Sequence, residues 1–206
     1  MLNLKSNYLK LYVGCMFSGK STSLLNEMIK YKVITDKIIM INHIYDKKRY
    51  TEDQKKLTTE FVGIIKTHDN KTCKALLIKN LSELKTKNSS SIFNTEYENA
   101  EVVIIDEGQF FEDLYEFIST ELSDMNQKKL FIIGGLSGDS DMHLMGDIIK
   151  LIPLADEVIK LNAYCVKCKD GTGASFTKRL INNKEQILVG KEDIYIPVCR
   201  FHYHTE

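Results

Sequence analysis

Residues Val102 to Ile105, "VVII", set four aliphatic side chains in a row and then stop at Asp106 and Glu107. A strand with one wet face alternates apolar and polar residues. This one does not, so both of its faces must be covered, as in a parallel sheet with helices on either side. The neighbouring segments agree: "LKLYVG" and "KIIMIN" read as strands, and "STSLLNEMIKYKVI" carries Leu24, Leu25, Met28 and Ile29 at helical spacing. Between them and the aliphatic run, His43 to Glu60 reads as a polar excursion, "FVGIIKT" as a strand, "CKALLIKNLSELK" as a helix and "KTKNSSSIFNTEYEN" as a loop or insertion. Beyond it, "FEDLYEFISTELSDM" reads as a helix and "KKLFIIGGL" as a strand. From about Asn162 the texture changes to cysteines, glycines and short hairpin-like runs. The expected organisation is an α/β domain over 1–161 and a smaller domain over 162–206.

The turn after the first strand narrows the fold further. Gly14 to Ser21, "GCMFSGKS", fits G-x-x-x-x-G-K-[ST], the P-loop pattern, between an expected strand and an expected helix. Gly14 and Gly19 let successive N–H groups curl around one anion, and the start of the helix adds its positive end. Lys20 would reach the β- and γ-phosphates of ATP, and Ser21 would offer a hydroxyl to Mg²⁺. Asp106 supplies the second acid such a site needs, at the carboxyl end of a parallel strand where ligands bind. Glu107 points elsewhere than its neighbour, so Asp106 can serve the metal while Glu107 faces the phosphoryl acceptor. An alcohol as acceptor describes a kinase, and water describes an ATPase.

Composition restricts the partners. With 28 basic and 28 acidic residues the formal net charge is zero, so no global field draws the chain to nucleic acid or anionic lipid. No apolar run approaches the roughly eighteen residues of a membrane span, and the N-terminus lacks the order of a secretory signal, so the expected location is cytoplasmic.

Five cysteines are an odd number, and a disulfide framework is not expected. Cys165 and Cys168 form C-x-x-C, and Cys199 and His202 form C-x-x-H roughly thirty residues later, matching a closed tetrahedral Zn²⁺ site. Four protein ligands leave no open position, so the zinc would be structural, stapling a small domain. His204 competes with His202 by composition, and a redox C-x-x-C with an incidental Cys199 is the other account. Cys15 belongs to the phosphate loop, and Cys73 reads as ordinary helix or loop.

Taken together, "GCMFSGKST", "DEGQFF", "LIPLADEVIKL", the C-x-x-C pair, "SFTKRL" and "PVCRFHY" resemble the type II thymidine kinases, from about Leu11 to Tyr203. The resemblance implies a P-loop NTPase-type sheet with helices on both faces and a zinc-ribbon-like lasso domain. It implies ATP-dependent phosphorylation of the 5′-hydroxyl of thymidine, and of deoxyuridine, with Glu107 as catalytic base. Gly14, Cys15, Met16, Phe17, Ser18, Gly19, Lys20 and Ser21 match the ATP loop, with Asp106, Gly108 and Gln109 beside it. Asp46 and Arg49 in "DKKRY" resemble a segment near the phosphates, with one extra residue, Lys47 or Lys48. "THD", Thr67 to Asp69, also matches a family segment, and a surface turn accounts for it equally well.

By the same resemblance the backbone of a lasso loop, here Gln186, Ile187, Leu188, Val189 and Gly190, meets the base, with Tyr195 following. Met16 and Phe110 resemble residues packed around the base, Leu136 opens a pocket loop, and Thr177 matches a position near the 5-methyl group. The family further implies a homotetramer inhibited by thymidine triphosphate. Departures matter too: Ser140 and Met145 stand where aromatics are usual, and a lost stacking ring would cost about 1–3 kcal/mol of base contact. The loop after Cys168 is two residues longer than the common form. Two other accounts stand beside the kinase: a nucleotide-dependent nucleic-acid binder, prompted by Lys167, Lys169, Lys178 and Arg179, and a degenerate kinase that binds without turnover.

Overall fold

The computed structural model describes residues 4–49, 62–66, 72–86, 92–181, 186 and 193–205. Its centre is a seven-stranded sheet in the order β3-β4-β2-β5-β6-β1-β7. The strands are β1 (Tyr8–Gly14), β2 (Ile38–His43), β3 (Val62–Lys66), β4 (Thr72–Ile78), β5 (Val102–Ile105), β6 (Leu130–Leu136) and β7 (Glu157–Leu161). All neighbours pair in parallel except β3, which runs antiparallel to β4 at one edge.

The aliphatic runs explain the layering. Side chains alternate across a strand, and here both sets are buried. Val103 and Ile105 of β5, with Phe131 and Ile133 of β6, join one core; Val102, Ile104, Leu130 and Ile132 join another on the opposite face. The second core is closed by Leu24, Leu25 and Met28 of α1 (Lys20–Lys32). The first is closed by α2 (Ile92–Asn99), α3 (Leu114–Ser123) and two 3₁₀ segments, Leu81–Lys85 and Ile148–Leu154. Helices therefore cover both faces, as a non-alternating strand requires.

Two segments differ from the sequence reading. Cys73–Ile78, expected as the start of a helix, belongs to the strand β4: Cys73 and Ala75 face one core, Leu76 and Ile78 the other. Leu77, Leu81 and Leu84 mimic a helical period because a strand runs directly into a 3₁₀ turn. Cys73 is accordingly a strand residue, its thiol 3.3 Å from the Met28 sulfur. The stretch read as a loop contains α2, whose Tyr97 is fully buried. The Tyr97 hydroxyl bonds Glu121 of α3, and the Lys129 ammonium donates to the carbonyls of Tyr97, Glu98 and Ala100. A cation on the last carbonyls of a helix is the partner its dipole favours. Thr67 to Asp69 lies outside the described residues.

Beyond β7 come two antiparallel pairs, β8 (Ala163–Tyr164) with β9 (Gly173–Ala174) and β10 (Phe176–Arg179) with β11 (Tyr195–Val198), then α4 (Arg200–His204). Phe131 is completely buried beneath the helices. Phe131→Ala is expected to lower stability by about 3–5 kcal/mol, measured by urea denaturation, because the surrounding layers cannot collapse into the space.

Candidate active site

The parallel register brings the carboxyl ends of β1, β2, β5 and β6 to one edge of the sheet, where Gly14 pairs with Leu136 and Ile105 with Ile133. At the end of β1 the chain reverses through Phe17 (φ 64°) and Gly19 (φ 84°), both left-handed. The Lys20 ammonium lies inside this curl, donating to the Cys15 carbonyl at 2.6 Å, and the Ser18 hydroxyl donates to the same oxygen at 2.8 Å. Gly14 has no room for a side chain: a Cβ would stand 2.3 Å from the Leu161 carbonyl of β7.

Asp106 ends β5 with 3% of its surface exposed. Burial, then the Glu107 and Asp46 carboxylates, push its acid up to about 7 against hydrogen bonds from Ser21 and the Glu107 amide. A serine hydroxyl and a buried carboxylate form a hard oxygen donor set suited to Mg²⁺, and a cation there would relieve this concentration of negative charge. Asp46 sits on a 3₁₀ turn, Ile44–Arg49, at the end of β2, and its carboxylate accepts from the Asn42 amide at 2.9 Å. The turn is further held by His43, whose Nδ1 accepts the Tyr45 N–H and whose Nε2 faces the Lys79 carbonyl.

Glu107 adopts a left-handed conformation (φ 53°, ψ 40°), unusual for a residue with a side chain. That turn directs its N–H back to Asp106 at 2.9 Å. Its carboxylate accepts from the Gln109 amide at 2.5 Å, while the Gln109 oxygen accepts the Leu136 N–H at 2.9 Å. Gln109 was grouped by sequence with the phosphate residues; the structure places it as the bracket between Glu107 and β6. Gly108 sits between them, buried against Ile133.

Phe110, three residues after Glu107, lines a cavity of about 380 Å³, counting its mouth, together with Met16, Leu136, Gly138, Asp139, Ser140, Met145, Thr177, Gln186 and Tyr195. Seven of these are residues the sequence singled out for the substrate. Ile187, Leu188, Val189 and Gly190 lie outside the described residues. Thr177 turns its hydroxyl oxygen to the Met16 N–H at 3.0 Å, tying β10 to the phosphate loop. Cys15 makes a second tie, its thiol 3.3 Å from the Ala174 carbonyl. Gln186 contributes a side-chain contact that the sequence did not foretell: its amide donates to Asp139 at 2.8 Å and to the Leu144 carbonyl. Tyr45, which packs with Phe110 and Met145, and Asp139 were also missed. Tyr45 stands one residue before Asp46, which was the available signal.

The Cys165, Cys168 and Cys199 sulfurs lie 3.6, 3.3 and 3.4 Å from His202 Nδ1, and all four donor atoms fall within 4.8 Å of one another. Such separations suit one tetrahedral ion with bonds of about 2.0–2.3 Å, and an S₃N donor set favours Zn²⁺. Against desolvation, the N–H groups of Cys199, Cys168 and Lys167 bring the Cys165 thiol down to about 6, while burial and the Cys165 and Cys199 sulfurs push the Cys168 thiol up to about 11, so without a cation the thiols of this pair do not ionise together. His204 is exposed and outside this cluster. A redox C-x-x-C does not account for Cys199 and His202 converging on it.

Comparison with known proteins now bears on the same residues. The thymidine kinase family pattern matches residues 7–203. The chain belongs to the thymidine kinase family. Thymidine kinase of Yaba monkey tumor virus is 35% identical over 202 residues, covering 98% of this chain and 97% of the viral protein. Thymidine kinase a of Arabidopsis thaliana is 35% identical over 193 residues, covering 94% of this chain and 73% of its own. Cytosolic thymidine kinase of Cricetulus griseus is 33% identical over 198 residues, covering 95% and 72% respectively. The phosphate loop, the Asp106–Glu107 corner and the Cys–His cluster all lie inside the span shared with the thymidine kinases.

The Asp106 environment yields a signed expectation. Its acid is 3.8 in an unfolded chain and about 7 here, so folding binds a proton between those values. The stability contributed by neutral Asp106 is complete below about pH 4 and lost as pH rises to about 7. In thermal melts without metal or nucleotide, Asp106→Asn should exceed wild type above pH 7, with the gap opening from about pH 4 upward.

Proposed function

We propose that this chain transfers the γ-phosphoryl group of ATP to the 5′-hydroxyl of thymidine, and of deoxyuridine, with Glu107 as the base. The observation that carries the reading is the Glu107 carboxylate, held by Gln109 next to the Asp106–Ser21 corner and three residues before Phe110, which lines the cavity. The phosphate loop Gly14–Ser21 cradles the triphosphate, and the Lys20 ammonium exchanges the Cys15 carbonyl for phosphate oxygens. Ser21 and Asp106 would hold Mg²⁺, which supplies charge neutralisation on the β- and γ-phosphates. Asp46 and Arg49 stand by the phosphates from the β2 turn.

The cavity takes the nucleoside. Phe110, Met16 and Leu136 cover the faces of the base, Thr177 and Tyr195 its edge, and the backbone of 186–190 its hydrogen-bonding groups. Ser140 and Met145 leave room where a ring would stack, which supports tolerance at the base. Glu107 accepts the 5′-hydroxyl proton as the oxygen bonds the γ-phosphorus; the bond from that phosphorus to the bridging oxygen breaks and ADP leaves. Residues 1–161 form the ATP-binding unit in this reading, and 162–206 the unit held by zinc on Cys165, Cys168, Cys199 and His202. Family membership supports a cytoplasmic homotetramer restrained by thymidine triphosphate, which would place its base in the cavity and its phosphates at the loop.

Removing the base tests this directly. Glu107→Gln should lower kcat by about 10²–10⁴-fold in a coupled assay with thymidine and ATP, leaving KM for both within a few-fold. A variant with kcat near wild type would overturn the assignment.

A further inference from the structure

We propose that Tyr203 is a positioning residue through which the Cys165–Cys168–Cys199–His202 centre holds the nucleoside pocket in shape, so that metal retention and nucleoside binding reinforce each other. The inference rests on the cavity being the nucleoside site. Tyr203 directly follows the cluster histidine on α4, a helix of five residues that is too short to persist unaided. Its N–H donates to the Cys199 carbonyl, and the Lys178 ammonium donates to the His202 and Tyr203 carbonyls at 3.0 and 3.2 Å. At its other end the phenol donates to the Ser140 carbonyl at 2.7 Å.

Ser140 lines the cavity from the loop after β6. Its side chain is too small to fix that wall by packing, so the tether to Tyr203 has weight there. Met16, another lining residue, is tied to the same centre by another route: Cys199 follows β11, β11 pairs with β10 through Thr177 and Pro197, and Thr177 holds the Met16 N–H. One cluster thus reaches the pocket lining by two routes, to Met16 through β10 and to Ser140 through α4. A nucleoside that needs both residues in place must, by linkage, favour the state in which the cluster keeps its metal. Tyr203→Phe would keep the ring packing on Phe176, 5.6 Å away between centroids, and lose only the hydrogen bond.

The experiment uses zinc-loaded full-length protein. Thymidine affinity is measured by calorimetry, and zinc release to excess chromogenic chelator is timed with and without thymidine. Wild type should release zinc several-fold more slowly with thymidine. Tyr203→Phe should bind one zinc, bind thymidine about three- to tenfold more weakly and lose most of that slowing. Equal affinity, or equal slowing, in Tyr203→Phe overturns the proposal while leaving the functional reading intact. Wild type that fails to bind thymidine overturns that reading and the proposal with it. If the variant cannot hold zinc, the wild-type arm decides: release indifferent to thymidine overturns the coupling.

Discussion

Burial of a carboxylate at the end of a strand with no solvent face is the constraint around which this molecule is arranged. Asp106 has almost no access to water, and two further carboxylates lie near it. Such a cluster is unfavourable for the bare fold and favourable only around a cation, so stability has been given up at a point where a metal–nucleotide complex would restore it. The left-handed turn at Glu107 belongs to the same arrangement. A side chain in that conformation costs roughly 1 kcal/mol or more and persists because Gln109 and the Asp106 carboxylate hold it from both sides.

The second organising feature is distance along the chain. The phosphate loop lies near the start and the Cys–His cluster near the end, yet Met16 bonds Thr177 and Cys15 bonds Ala174. The cavity between them has walls from both ends of the chain, with Phe110 and Leu136 from the middle. A small unit of two short strand pairs and one helical turn buries little apolar surface of its own, so a metal held by the Cys–His cluster would be the staple that makes it rigid enough to form a wall.

What the sequence made legible follows the range of the interactions. The parallel sheet, the phosphate loop and Asp106 were readable because unbroken aliphatic runs and a glycine-rich turn carry their reasons locally. The Cys–His pairs were readable because knuckle spacing encodes the geometry of their ligands. Strand β4 was misread because its leucines continue into a 3₁₀ turn at helical spacing. Helix α2 was hidden behind a polar tract, although Phe93 and Tyr97 sit four residues apart on it. The side-chain partners of Gln109, Gln186 and Tyr203 could not be read, because each lies far away in sequence: Leu136, Asp139 and Ser140 respectively.

The central claim is geometric: a nucleoside in the cavity presents its sugar hydroxyl to Glu107 while a nucleotide occupies the loop at Lys20. A crystal structure with thymidine and a non-hydrolysable ATP analogue tests it most directly. The account predicts the 5′-oxygen within about 3 Å of the Glu107 carboxylate, in line with the γ-phosphorus. A nucleoside bound with that oxygen turned away from Glu107, or bound outside the cavity, would contradict it.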